Sequence, residues 1–201
     1  MKSGTIDRRI KYTKFQLKTA LTQIMKTKPI YEITVKELCE KADINRSTFY
    51  SHYDNPAQIY NEMTKNIFSE IRTIVKKCIL DGEISKEQML IEIFGYCEQN
   101  RDICLVVLSD KSIITVGQTL DKVIDSFCDE FGLTEMNSGD PLEVNRYLSL
   151  FVLSGLLSII WHWLNKDTRI SADSLARIVS GTIKEGIFAA EKMKNAEIRT
   201  E

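Results

Sequence analysis

Apolar side chains in the first quarter of the chain fall on one helical face: Leu17, Ala20, Leu21 and Ile24 recur at intervals of three and four, with lysines between them. The pattern predicts an amphipathic helix from about 8 to 28, closed by Pro29, whose ring cannot continue a helix. Thr34 stands three residues before Glu37, the spacing of a capping box, so a short second helix is predicted from Thr34 to Ala42. After a break at 42–44, Asn45 can cap a third short helix through Tyr53. Asn55-Pro56 then supplies a cap and an N1 proline for a fourth helix running to about Leu80. Helical spacing continues over 85–99, 101–109, 111–131, 141–166 and 171–193. Breaks fall at Asn100, Asp110, 132–141 and 167–170. No stretch alternates with period two for long, although 103–108 and 113–116 are rich in β-branched residues and compete as strands. The expected fold class is all-α, with about nine helices.

Two short helices joined by a tight turn, with another helix behind them, form the unit that sets one helix into the major groove of DNA. The inward positions fit that unit: Val35, Leu38, Cys39 and Ala42 from the second helix, Ile44 in the turn, Phe49 and Tyr53 from the third, and Leu17, Leu21 and Ile24 from behind. Asn45, Arg46, Ser47, Thr48, Tyr50, Ser51 and His52 are then left facing outward. All of them form hydrogen bonds, which suits base edges and phosphates. Charge strengthens the picture. Net charge is only −1, but residues 1–55 hold eleven Lys or Arg against six Asp or Glu, leaving sixteen against twenty-two for the rest. The N-terminal quarter is therefore the side expected to meet a polyanion.

Ile33 to Tyr53, ITVKELCEKADINRSTFYSHY, resembles the DNA-binding signature of the tetracycline-repressor (TetR/AcrR) family of bacterial regulators. The resemblance implies a helix-turn-helix DNA-binding domain over residues 1–54 and a helical effector-binding and dimerisation domain over 55–201. It places Arg46, Ser47, Thr48 and Tyr50 on bases and neighbouring phosphates, Arg46 being the first choice for base readout through a bidentate contact to guanine. Thr34 is expected to cap the second helix where it abuts a phosphate, and Lys36 and His52 to lie near the backbone. Two positions depart from the family. Asp43 occupies the turn where glycine is common, and Pro56 replaces a lysine that reaches a phosphate in many members. The lost contact is expected to shift to Lys11, Lys14, Lys28 or the N-terminal tail.

Tyr147 to Leu164 carries no formal charge over 18 positions, which raises a membrane span as a candidate. Ser149, Ser154, Gly155, Ser158 and His162 interrupt it, and a buried interface helix is the preferred reading, with no membrane partner. A helix apolar all round needs cover on every side, which a second copy supplies. Phe151, Ser154, Gly155, Leu157, Ser158 and Trp161, with Leu175, Ile178, Val179, Thr182, Ile183 and Gly186, are the expected homodimer interface. Cys97 to Leu108 and the segment ending Trp161-His162-Trp163-Leu164-Asn165 resemble the C-terminal region of a subset of this family related to regulators of dihydroxyacetone metabolism, over roughly 90–185.

The resemblance also implies an unidentified small-molecule effector between the fourth and seventh helices. Phe68, Ile71, Phe94, Tyr96, Cys97 and Phe127 could line such a site, yet ordinary core packing accounts for each. Five widely spaced cysteines, Cys39, Cys78, Cys97, Cys104 and Cys128, read as reduced thiols in a cytoplasmic protein. The first nine residues hold charges and no apolar run, so no leader is expected. No C-x-x-C or paired-histidine spacing points to a metal, no cofactor is implied, and no phosphate loop or nucleophile elbow supports an enzyme. The expected function is a ligand-responsive repressor that binds a palindromic operator as a dimer. The alternative is a family-like coactivator that works through protein contacts alone.

Overall fold

A computed structural model of the chain describes the backbone of residues 3–109, 142–166 and 170–197, with side chains over 8–108, 151–166 and 170–186. The described residues are all-helical: α1 (Ser3–Met25), α2 (Val35–Ala42), α3 (Arg46–Tyr50), α4 (Pro56–Ile79), α5 (Lys86–Gln99), α6 (Arg101–Ser109), α7 (Leu142–Asn165) and α8 (Ala172–Glu197). A turn of 3-10 helix, Ile30–Glu32, follows Pro29. The β-prone segment 103–108 lies inside α6, where buried Cys104 and Val106 are two residues apart. The rival strand at 113–116 and the helix at 111–131 lie outside the described residues.

Helix ends follow the caps that the side chains can build. Thr34 Oγ1 accepts from the Glu37 amide at 3.2 Å, so helical hydrogen bonding begins at Val35. The second arm of the expected box is not made. The Glu37 carboxylate turns to Lys28 Nζ, 2.7 Å away, because an ammonium is a stronger partner than a neutral backbone amide. At α4, Asn55 Oδ1 accepts from the Gln58 amide at 3.0 Å, while the Gln58 side chain bonds both the Asp54 amide and its carboxylate. Asn45 precedes α3 in an extended conformation but makes no side-chain cap, a correction to the expected role. The third helix is also shorter than predicted, ending at Tyr50 with a turn at 51–52. α1 closes at Met25, four residues ahead of Pro29.

Two compact units divide the chain, Met1–Glu70 with Asp102–Asp110, and Ile71–Arg101 with Lys111–Glu201. The first is built around Leu17, Leu21, Leu38, Phe49 and Ile59, each fully buried, with Ala20, Ile24, Ile33, Cys39, Ala42, Tyr53 and Met63 around them. Ile103 of α6 packs on this core, and Lys26 holds Asp102 at 2.9 Å. In the second unit α5 packs on α7 and α8. Phe94 meets Trp163 with ring centroids 5.6 Å apart, and Trp163 Nε1 donates to the Ile170 carbonyl at 3.1 Å. Arg177 bonds Glu87 and, at 2.9 Å, Asp173. Ala172, Ala176 and Val179 face the core of this unit along one side of α8.

No helix among the described residues is long and apolar enough to cross a membrane. Cys39, Cys78, Cys97 and Cys104 form no disulfide, and Cys128 lies outside the described residues. Phe94 and Cys97 are buried, and Phe68, Ile71 and Tyr96 half-buried; Phe127 lies outside the described residues.

Candidate nucleic-acid interface

The junction between α2 and α3 depends on one unusual backbone residue. Asp43 adopts φ 53°, ψ 47°, the left-handed conformation, and is the one non-glycine residue with positive φ among those described. That reversal lets the Ile44 amide reach the Cys39 carbonyl at 3.0 Å, closing the end of α2. Ile44 then packs half-buried against the core and turns the chain into α3.

α3 has only five residues and is held mainly by one side. Phe49 is fully buried, with its ring 5.4 Å from Tyr50 and 6.2 Å from Tyr53. With that side anchored, Asn45, Arg46, Ser47, Tyr50 and Ser51 are exposed, and Thr48 and His52 are half-buried. The sequence-predicted residues therefore come together as a polar ridge. Ser51 Oγ donates to the Thr48 carbonyl at 2.7 Å, which leaves its lone pairs as the outward function. Thr34 and Lys36 are exposed at the start of α2.

Next to the ridge lies an open depression of about 310 Å³ lined by Lys36, Cys39, Glu40, Asp43, Ile44, Asn45 and Arg46. Burial pushes the Cys39 thiol above its ordinary range, opposed by Arg46 and reinforced by Glu40, so it is protonated and unreactive at neutral pH. Lys36 is 4.0 Å from Glu40, a loose surface pair that leaves its ammonium available to an anion.

Behind the ridge, Glu62 of α4 gathers three donors: Lys18 Nζ at 2.8 Å, Tyr53 Oη at 3.0 Å and Lys14 Nζ at 3.3 Å. Lys14 also sits 5.1 Å from the centre of the Tyr53 ring. Burial alone would raise the Glu62 carboxyl, but the bonds from Lys18 and Tyr53, with the charge of Lys18 and the bond from Lys14, bring it below its ordinary value. Its own burial, with the bond to Glu62 and the charge of that carboxylate, raises the Tyr53 phenol. Of the lysines expected to replace the lost phosphate contact, Lys14 pairs with Glu62 and Lys28 with Glu37. Sequence spacing could not reveal the Glu62 cluster, because its donors lie 9 to 48 residues from Glu62. Pro56, at the position of the missing lysine, is buried.

The proposed interface residues lie in the second unit. Phe151 is 75% exposed and Ile178 60%, and Ser154, Ser158, Thr182 and Gly186 are exposed too. Gly155, Leu157, Leu175, Ile183 and Trp161 are half-buried, and Val179 is buried within the unit. Trp161 Nε1 is buried with no hydrogen-bond partner among the described residues. No group of three His, Cys, Asp or Glu side chains that could hold a metal occurs among the described residues.

A helix-turn-helix with a polar outer ridge, in a chain whose second unit is helical in its described residues, is the architecture of a class of transcriptional regulators. Residues 85–185 match the transcriptional regulator C-terminal region of the TetR type, and the chain belongs to the TetR family of transcriptional regulators. That match covers the stretch read as resembling regulators of dihydroxyacetone metabolism.

A 71-residue stretch is 34% identical to YxbF, an uncharacterized HTH-type transcriptional regulator of Bacillus subtilis (strain 168). The aligned part covers 35% of this chain and 19% of that protein. Two solved structures share the fold. A TetR transcriptional regulator from Streptococcus agalactiae 2603V superposes with a TM-score of 0.58 at 20% identity, over 90% of this chain and 98% of the other. A TetR-like transcriptional regulator from Rhodococcus sp. RHA1 gives 0.62 at 12% identity, over 87% and 95%.

Proposed function

We propose that this TetR-family regulator is a cytoplasmic, ligand-responsive repressor that binds a palindromic DNA operator as a homodimer. Residues 1–54 serve as the DNA-binding domain and 55–201 as the effector-binding and dimerisation domain. One observation carries the reading. The hydrogen-bonding side chains of Asn45, Arg46, Ser47, Tyr50 and Ser51 stand exposed along a short helix whose other side, Phe49, is fully buried. In the proposed complex Arg46 reads a guanine edge, Ser47, Thr48 and Tyr50 meet bases and nearby phosphates, and Ser51 and His52 follow the backbone. Asn45 contributes through its exposed amide. Thr34 and Lys36 bring the start of α2 to a phosphate.

Pairing of two copies is supported by the exposed apolar side chains Phe151 and Ile178, which lie beside small residues on α7 and α8. A two-fold pair presents two ridges to successive major grooves, which is why an inverted repeat is expected. A second reading, a coactivator acting through protein contacts, draws support from the engagement of Lys14 and Lys28 with carboxylates and from Pro56, which together leave fewer cations for phosphates.

Selection of bound DNA from a random pool, followed by gel shift of the enriched sequence with wild type and Arg46→Ala, tests the choice. An enriched inverted repeat whose binding drops about tenfold or more with Arg46→Ala, within the 1–3 kcal/mol of a bidentate guanine contact, is the expected result. No enrichment, or equal binding by both proteins, refutes operator readout and favours the coactivator.

A further inference from the structure

The apolar core of the first unit holds α3 in place but does not fix its direction. Apolar contacts are non-directional, and a five-residue helix has few hydrogen bonds of its own to resist rotation. Besides the Ile44–Cys39 backbone bond that leads into α3 and the Gln58–Asp54 bonds that follow it, side-chain contacts with direction converge on one carboxylate. Glu62 accepts hydrogen bonds from Tyr53 at 3.0 Å, Lys18 at 2.8 Å and Lys14 at 3.3 Å. Tyr53 follows the turn after α3 and is tied back to that helix, since its amide donates to the Phe49 carbonyl at 2.9 Å. Its ring is buried, so its hydroxyl needs an internal acceptor. Lys14 and Lys18 come from α1, and Glu62 from α4. A single side chain therefore ties the end of the ridge to both neighbouring helices, and it also keeps two ammonium groups of the basic quarter occupied.

We propose that Glu62 is a positioning residue for DNA recognition: it orients the α3 ridge through Tyr53 and withholds Lys14 and Lys18 from sequence-independent phosphate contact. Both actions raise selectivity rather than raw affinity. Orientation favours base contacts, which need angular accuracy, and sequestration of the two lysines lowers the salt-sensitive attraction that every DNA sequence shares. The inference rests on the operator-binding reading above.

The test uses the full chain and the DNA enriched by wild type, compared with random-sequence duplex over a series of salt concentrations. Glu62→Gln keeps the shape and an acceptor for Tyr53 but removes the charge; Tyr53→Phe removes the hydroxyl alone. For Glu62→Gln the ratio of selected to random affinity should fall about tenfold. Random-sequence binding should tighten, with a salt slope steeper by about 1–2 as up to two lysines engage phosphates. Tyr53→Phe should lower the ratio in the same direction without the change in slope. Far-UV circular dichroism should match wild type for both.

A wild-type ratio and slope for Glu62→Gln, in an assay where Arg46→Ala abolishes the preference, overturns the role of Glu62 alone. Wild type that shows no preference for any sequence overturns the operator reading and this inference with it. Loss of helicity in both variants assigns the cluster to folding and also overturns the proposal.

Discussion

Asp43→Gly offers a direct measure of how the turn is held. At φ 53° and ψ 47° an L-residue crowds its Cβ against the following carbonyl, at a cost of about 1–2 kcal/mol, the lower end applying to Asp. Glycine removes that cost but gives back about 0.4–1 kcal/mol through the greater freedom of the unfolded chain. A second gain comes from charge. The Asp43 carboxylate lies at the C-terminal end of α2, where the helix dipole is negative, and its removal there contributes about 0.3–1 kcal/mol. Among the described residues that carboxylate has no hydrogen-bond or ion-pair partner to lose.

The balance for Asp43→Gly is a stabilisation of about 0.5–1 kcal/mol, which for a chain of this length raises the thermal midpoint by about 1–4 °C. Alanine keeps the crowding and should melt below glycine by about 1 kcal/mol, while asparagine isolates the charge and should fall between aspartate and glycine. Thermal unfolding followed at 222 nm, with guanidinium midpoints at unchanged m-value, gives the order. If Asp43→Gly melts at or below Asp43→Ala, the left-handed turn is not where the strain resides.

Two other outcomes follow from the same coordinates. A Cβ added at Gly155 meets nothing within 4 Å, and Ile178 is 60% exposed, so Gly155→Glu and Ile178→Glu should leave the protomer folded yet yield monomers in sedimentation velocity; an intact dimer in both variants contradicts the proposed pairing. Because the folded-state value of Glu62 lies below the ordinary 4.5, its cluster adds stability that is complete above that pH and is lost as pH falls through the folded value. Acid titration should therefore show a component below about pH 4.5 that disappears in Glu62→Gln, and identical acid limbs for the two proteins would remove the cluster from the account.

Much of the fold could be read along the chain because it is written in local spacing. Leu17, Leu21 and Ile24 mark the buried stripe of α1, Thr34 and Asn55-Pro56 mark helix starts, and Phe49 within RSTFY fixes which side of α3 turns inward. These signals act within one or two turns, so hydrophobic period and capping chemistry suffice to place them. The ridge was legible for the same reason: once Phe49 is assigned to the core, the polar residues around it have only the outside left.

Tertiary structure decided what depends on groups distant in sequence. Asn45 was expected to cap α3 and does not, and Glu37 was expected to complete a capping box but bonds Lys28 instead. Lys14 and Lys28, named as candidates for phosphate contact, are set beside Glu62 and Glu37 by folding, and Val179, named for the dimer interface, is buried within its own unit. For Glu37, Lys14, Lys28 and Val179 a charge or an apolar face met a partner brought near by the packing of the helices. The sequence by itself determined which residues form helices and which sides they bury; packing determined where the charges go, because Coulombic and hydrogen-bond partners are chosen in space.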